Sequence, residues 1–225
     1  SKEAADPGHD AGAAGGVGNG CPRRTSMDEG GYMEKQIWKP GNMLYPLPVV
    51  LVTARGRDGR DNVLTVAWAG TVCTNPPMLS VSVRPERYSH KLLCETGEFG
   101  VNLTTEALAW ATDYCGVKSG RDVDKFAAAK LHKKKSVKIR VPLIEESPVN
   151  IECKVKEILH LGSHDLFLAG VEAVHADERY MDKNKKFDLS MARPIVYSHG
   201  EYFALGKKCG TFGYSVRRNE KKQGK

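Results

Sequence analysis

A mainly β fold, a closed or nearly closed antiparallel barrel with inserted helices, is the architecture this sequence predicts. Three observations carry it. Short runs rich in β-branched residues, each ended by turn chemistry, fill residues 47–83. Strand-like patterns return at Ile151–Val155, Leu166–Val174, Ile195–Tyr197 and Tyr202–Leu205. Helical spacing surfaces in only two or three short stretches, and there is no internal repeat.

In chain order, residues 1–32 are rich in Gly and Ala and lack large apolar side chains, so they bury too little surface to offset chain entropy. A disordered extension is expected there, and Met33 stands as an alternative start. Gly16-Val17-Gly18-Asn19-Gly20 imitates a dinucleotide-binding turn, but no strand precedes it and no helical pattern follows. Residues 33–215 form the expected domain, and 216–225 a basic tail. A lead-in, Trp38–Leu47, precedes strands at Val49–Thr53, Val63–Val72 and Met78–Val83. The charged turn Arg55–Asn62 separates the first two, and Asn75-Pro76-Pro77 breaks the second from the third.

Ser89 is an N-cap type, so a short helix is expected from Lys91. Glu98–Leu103 reads as a strand, and Thr104 as the cap of a helix through Tyr114 that Cys115-Gly116 ends. Asp122 is expected to cap a further helix that buries Val123, Phe126, Ala127, Lys130 and Leu131. After the basic connector Lys133–Arg140, Ile151, Cys153 and Val155 alternate with Glu152, Lys154 and Lys156 as a half-exposed strand. The turn Gly162–Asp165 leads into Leu166–Val174, apolar on both phases and so expected to be buried on both faces. A polar loop, Asp177–Leu189, precedes the final strands.

No run of about 18 apolar residues is present, which argues against a membrane-spanning helix. No charged-then-apolar secretory signal opens the chain. Six scattered cysteines, without a C-x-x-C pair, read as mostly buried free thiols. Together these predict a cytoplasmic protein. The net charge is +7; residues 1–32 contribute −2, so the rest carries +9, concentrated in Lys130–Arg140 and the last nine residues. Such a field suits an anionic cofactor and nucleotide and also attracts nucleic acid, although the clustered aromatics that stack bases are missing. His160 and His164 stand four apart across a glycine and a strand end, so they are no helical metal pair and no metal is assigned.

The order NVLTVAW (62–68), NPPMLSVSV (75–83) and RPERYSH (84–90) resembles the flavin reductase-like family of FMN-binding split barrels, above all its flavoredoxin-type branch. GEFGVNLT (97–104), CGVKSGRDVDKF (115–126) and GSHDLFLAGVEAV (162–174) match the same family in order, so the resemblance covers roughly residues 40–215. It implies a Greek-key split barrel, FMN as cofactor, and a homodimer with the cofactor near its interface.

The resemblance also assigns residues. It puts the FMN phosphate at Arg87, Ser89 and His90, with Asn102, Leu103 and Thr104 close by. Cations, hydroxyls and helix-start N–H groups are what such an anion needs. Without the motif, Arg87 is an ordinary surface cation and Ser89 an ordinary cap. The isoalloxazine wall falls to Thr65, Ala67, Trp68, Ala69 and Thr71, with Asn62 and Thr65 as side-chain donors. Trp68 would otherwise be core packing. Cys115, Gly116 and Ser119 join the same wall, although Cys115 reads more simply as an inert buried thiol.

The resemblance implies that Lys125 points toward the flavin, where positive charge would raise the potential, while its spacing also permits an exposed helix lysine. His164, in a G-x-H turn, is set near the nicotinamide, with turn capping as the plain alternative. The implied activity is an oxidoreductase taking electrons from NAD(P)H through FMN to a small-molecule or protein acceptor. A flavoredoxin-type carrier reduced by a protein donor would use the same FMN site, and the sequence does not separate the two. A basic nucleic-acid module ranks last. Hydride transfer is chemistry the cofactors carry, so no Ser-His-Asp or Cys-His arrangement is required.

Overall fold

The computed structural model describes residues 35–217. The extension expected over 1–32 and residues 218–225 of the expected tail lie outside the described residues. A two-residue strand, β1 (Leu47–Pro48), opens the fold. β2 (Val50–Arg55) and β3 (Asp61–Val66) form a hairpin whose turn carries Gly59 at φ +81°, a conformation glycine adopts without steric cost. β4 (Ala69–Thr74) and β5 (Pro77–Val83) form the next hairpin, and α1 (Tyr88–Thr96) leads from it to β6 (Glu98–Leu103). A 3-10 turn over Glu106–Leu108 precedes α2 (Ala109–Val117) and α3 (Lys125–Ala128). β7 (Lys133–Lys134) and β8 (Leu143–Ile144) pair with each other ahead of a long hairpin, β9 (Val149–His160) and β10 (Asp165–Ala176). β11 (Ile195–Ser198) and β12 (Glu201–Ala204) follow.

A seven-stranded antiparallel sheet in the order β3-β2-β6-β9-β10-β5-β4 dominates, and β1-β11-β12 form a smaller one. β6 beside β2 and β10 beside β5 are neighbours distant in sequence, which is the Greek-key character. The two edge strands, β3 and β4, are consecutive in the chain and separated only by Ala67 and Trp68. They share no ladder, although the Ser82 N–H donates to the Trp68 carbonyl at 2.9 Å. The barrel is split, not closed.

Side-chain alternation explains why β2 and β3 read as continuous apolar runs. Val50, Val52, Leu64 and Val66 share the interior with Phe99, Phe167 and, from α1, Leu92 and Leu93. Leu51 and Val63 point the other way, under Leu108, Ala111, Cys115 and Phe126 of the α2–α3 layer. Each strand is therefore covered on both sides. β10 was expected to share that double burial but alternates buried with half-buried positions, because the α2–α3 layer lies over β2 and β3 instead.

Several boundaries differ from the sequence expectation. α1 starts at Tyr88 with Arg87 at its N-cap, so Ser89 lies inside the first turn. Thr104 caps nothing because its hydroxyl donates to the Val49 carbonyl at 2.6 Å; a separate 3-10 turn starts behind Thr105. α2 runs through Cys115 and Gly116, since the Lys118 N–H still bonds back to Tyr114. α3 is four residues long and is capped by Asp124, not Asp122: the Asp124 carboxylate accepts from the Ala127 N–H at 3.2 Å. Lys130, expected on its buried face, is exposed.

Glu152, expected on the solvent face of β9, is fully buried. Its carboxylate accepts the N–H groups of Val137, Lys138 and Ile139 at 2.7, 2.6 and 3.0 Å, and His175 Nε2 lies 2.6 Å away. The basic connector is thereby held as a fixed loop. Among the described cysteines, Cys115 and Cys153 are buried but Cys94 and Cys209 are exposed, so burial holds for only part of the set. Burial pushes the Cys115 thiol up to about 11 and that of Cys153 to about 12, which leaves both unreactive. No helix among the described residues is long and apolar enough to cross a membrane.

Candidate functional site

β3, the β3–β4 link, the end of β5 and the β11–β12 hairpin surround a small, partly open cavity of about 50 Å³. Leu64, Val66 and Val83 supply apolar wall. Trp68 stacks obliquely on His164, with ring centroids 4.4 Å apart and an interplanar angle of 35°. His164 is itself buried, and its Nδ1 lies 2.9 Å from Ser163 Oγ. Arg84 and Arg87 line the cavity where β5 gives way to α1. Arg87 also occupies the N-cap of α1, where its side chain makes no cap hydrogen bond. Two guanidinium groups thus gather at the end of the site where α1 begins.

Of the residues assigned from the sequence, Thr65, Ala67, Trp68, Arg87 and His164 line this cavity together. The Thr65 hydroxyl donates to the Thr112 carbonyl of α2 at 2.5 Å, which fixes the wall to the helix layer. Arg84, Ser82, Tyr197 and Tyr202 line it too and were not singled out. Arg84 belongs to the RPERYSH stretch and is legible there; the tyrosines come from the last strands and have no local signal. Tyr197 and Tyr202 meet edge to face at 5.7 Å, and the Tyr202 hydroxyl donates to Asp113 Oδ1 at 3.3 Å. Burial first, then the Asp113 carboxylate, pushes the Tyr202 phenol well up, so it stays a neutral donor.

Asn62, Ser89 and Ser119 are buried. Asn62 Nδ2 donates to Ser89 Oγ at 2.7 Å, and Ser119 Oγ accepts from the Arg121 N–H at 3.2 Å. Arg121 reaches back to the Glu86 carbonyl and lies 6.0 Å over the Tyr88 ring, so this turn closes on the start of α1. Gly120 makes the approach possible: a Cβ there would sit 2.1 Å from Asn62 Oδ1. Gly120→Ala is expected to displace the Asn62 amide, break its bond to Ser89 and destabilise the domain by about 2 kcal/mol. Thermal unfolding checks this, with a fall in Tm of roughly 4–8 °C expected at this chain length. An unchanged Tm would show that Asn62 yields without cost.

The remaining assigned residues stand elsewhere. Asn102 is fully buried; Nδ2 donates to the Leu51 carbonyl at 2.9 Å, while Oδ1 accepts from the Ile144 N–H at 3.0 Å and Asn150 Nδ2 at 2.8 Å. Its amide is consumed in tying β6 to β2, β8 and β9. Leu103 packs against the core and Thr104 holds Val49. His90 is engaged by Asp165, with Nε2 2.7 Å from Oδ2, and its ring edge meets Phe167 at 5.3 Å.

Lys125 is buried, and its Nζ donates to the Cys115 carbonyl at 2.8 Å. A cation there complements the C-terminal end of α2, which also carries Cys115 and Gly116. Ala69 borders a second, more open groove with Trp68, Met43 and Leu44, and Thr71 is exposed on the edge strand β4. Among the described residues, no group of three or more His, Cys, Asp or Glu is placed to hold a metal.

Residues 42–206 match the model of the flavin reductase like domain. An uncharacterized protein of Archaeoglobus fulgidus is 31% identical over 171 residues, 76% of this chain and 94% of its own. One of Aeropyrum pernix is 31% identical over 156 residues, which span 69% of this chain but only 58% of that longer protein. Among solved structures, flavoredoxin of Desulfovibrio vulgaris (Miyazaki F) superposes with a TM-score of 0.76 at 28% identity, covering 82% of this chain and all of that one. Flavoredoxin from Methanosarcina acetivorans gives 0.74 at 29% identity, with the same coverage of both chains. With the domain model spanning most of its length and the split barrel shared, this chain belongs to the flavin reductase-like family.

Proposed function

We propose that the chain binds FMN in this cavity and works as an oxidoreductase, passing electrons from NAD(P)H to a second acceptor, a small molecule or a protein. The observation that carries the reading is the Trp68–His164 stack inside a cavity that also holds two arginines. The flavin, when bound, supplies the two-electron chemistry, so the protein has to bind, orient and shield. The residues present fit that group. Leu64, Val66 and Val83 offer apolar surface to a flat ring, and Trp68 offers a π-face.

Arg84 and Arg87 offer charge-assisted hydrogen bonds to a phosphate. His164 presents an imidazole suited to hydrogen-bond a nicotinamide carboxamide. We take the working form as a homodimer. The open edge of β4 and the exposed Met43, Leu44 and Val72 beside it support that pairing. Free thiols among the described cysteines suit a reducing cytoplasm.

The likeness to two flavoredoxins favours a second reading, in which the same site serves an electron carrier reduced by a protein donor. An anaerobic visible spectrum followed by titration with NADH and NADPH separates the readings. Two-band flavin absorbance that bleaches stoichiometrically is the expected result. Yellow protein that stays oxidised with both nucleotides, yet is bleached by a reduced ferredoxin, would leave the carrier. Colourless protein that takes up no added FMN would overturn both.

A further inference from the structure

We infer that Asp165 is a positioning residue: it ties α1 and the end of β9 to the start of β10 and so sets where His164 and the start of α1 stand. Asp165 is the first residue of β10 and is 5% exposed. One carboxylate oxygen lies 2.7 Å from His90 Nε2 of α1, and the other lies 2.8 Å from His160 Nδ1 at the end of β9. In the sheet it stands opposite His160 on one side and Val83, the last residue of β5, on the other. Each neighbour leads straight to the cavity. Val83 lines it and is followed by Arg84; His164, next to Asp165 in the chain, stacks on Trp68; His90 follows Ser89 one turn into the helix that Arg87 opens.

The chemistry makes the tie firm. An ionised carboxylate only accepts, so His90 must present its proton on Nε2 and His160 on Nδ1. Cys94 Sγ lies 3.8 Å from the other ring nitrogen of His90, Nδ1. His90 and Cys94 of α1 and His160 of β9 are thus the titratable groups facing Asp165. Hydrogen bonds from His160 and then His90 hold its carboxyl below the usual carboxylate range, so it remains an anion from neutral into mildly acid solution. Two donors from different elements over-determine its rotamer, as outer partners of a functional site do. Its influence on the cavity runs through His164 and His90.

The test has two arms, and only the second rests on the FMN reading. The chain has three tryptophans, so a Trp38→Phe/Trp110→Phe background leaves Trp68 as the sole indole. An imidazolium in ring contact quenches indole emission, so the pH dependence of that emission in apoprotein titrates His164 against Trp68. Arg84, Arg87, Tyr197 and Tyr202, which line the cavity with His164, and Ser163 beside it are unchanged throughout. Asp165→Asn removes an anion from the adjacent residue and is expected to move the midpoint down by about half a pH unit or more. In the second arm, FMN affinity is expected to fall ~10-fold in Asp165→Asn and His90→Phe, and to recover to within ~3-fold in His90→Gln, whose amide replaces the Nε2 donor.

An unmoved midpoint would overturn the link to His164, and equal losses in His90→Phe and His90→Gln would overturn the donor argument. Should Asp165→Asn fail to fold, His160→Phe changes a side chain that is 77% exposed and removes one of the two bonds. Its midpoint is expected to move, and no movement would overturn the tie through β9. If unaltered protein binds no FMN, the cofactor reading falls alone and the emission titration still judges Asp165.

Discussion

An Arg84→Ala/Arg87→Ala variant is expected to bind FMN at least ~100-fold more weakly than the unaltered protein. Both guanidinium groups line the cavity, and Arg87 also sits where α1 begins. A phosphate dianion there would gain charge-assisted bonds from each, worth about 1.5–3 kcal/mol apiece, and helix-start N–H groups alone would not replace them. Arg87→Ala with Ser89→Ala is expected to weaken binding through a second route. It removes one cation and leaves the buried Asn62 Nδ2 without the Ser89 oxygen it meets at 2.7 Å. Quenching of free-flavin fluorescence on titration with apoprotein measures each affinity. Affinity unchanged in the double-arginine variant would mean that the phosphate lies elsewhere on the molecule.

Glu152→Ala is expected to cost about 3–5 kcal/mol of stability, the largest effect anticipated outside the cavity. Three consecutive backbone N–H groups and His175 converge on this fully buried carboxylate. Its removal leaves them without an acceptor and frees the 137–139 loop. Burial pushes the Glu152 carboxyl up, but the bonds from Val137, His175, Lys138 and Ile139 outweigh it, and the carboxyl sits below its ordinary range.

A depressed folded-state value means the stabilisation is fully present above the unfolded carboxyl value, about 4.3. It is lost as pH falls below that toward the folded value. Glu152→Gln preserves shape without the charge, so its stability deficit should shrink as pH falls below about 4. Urea unfolding between about pH 5 and 2 checks this. A deficit that grows below about pH 4 would contradict the assignment of the carboxylate as the acceptor.

How far local pattern reaches is clear from particular residues. Hydrophobic phase and turn chemistry located the β2–β3 hairpin, β5, the β9 and β10 strands and the last strand pair, because these are properties of neighbouring residues. They ran β3 and β4 together as one strand over Val63–Val72, since no Gly, Pro or Asn marks the break at Ala67 and Trp68. The motif order brought Thr65, Ala67, Trp68, Arg87 and His164 to one cavity although they span a hundred positions. The same order grouped Asn102, Thr104 and Lys125 with them. Their hydrogen bonds to Leu51, Val49 and Cys115 instead make them struts of the sheet and helix layer. A buried polar side chain near a site reads alike in sequence whether it faces a ligand or a backbone carbonyl.

By itself, then, the sequence determined the fold class, the family and the β-hairpin framework, since periodicity and motif order need only the chain. Only the tertiary structure decided that β3 and β4 approach without pairing. It alone also brought Tyr197 and Tyr202 to the site, buried Glu152 among three amides, and made Asp165 the meeting point of α1 and β9. These outcomes depend on which distant groups remain to satisfy one another once water is excluded, and no local pattern records that.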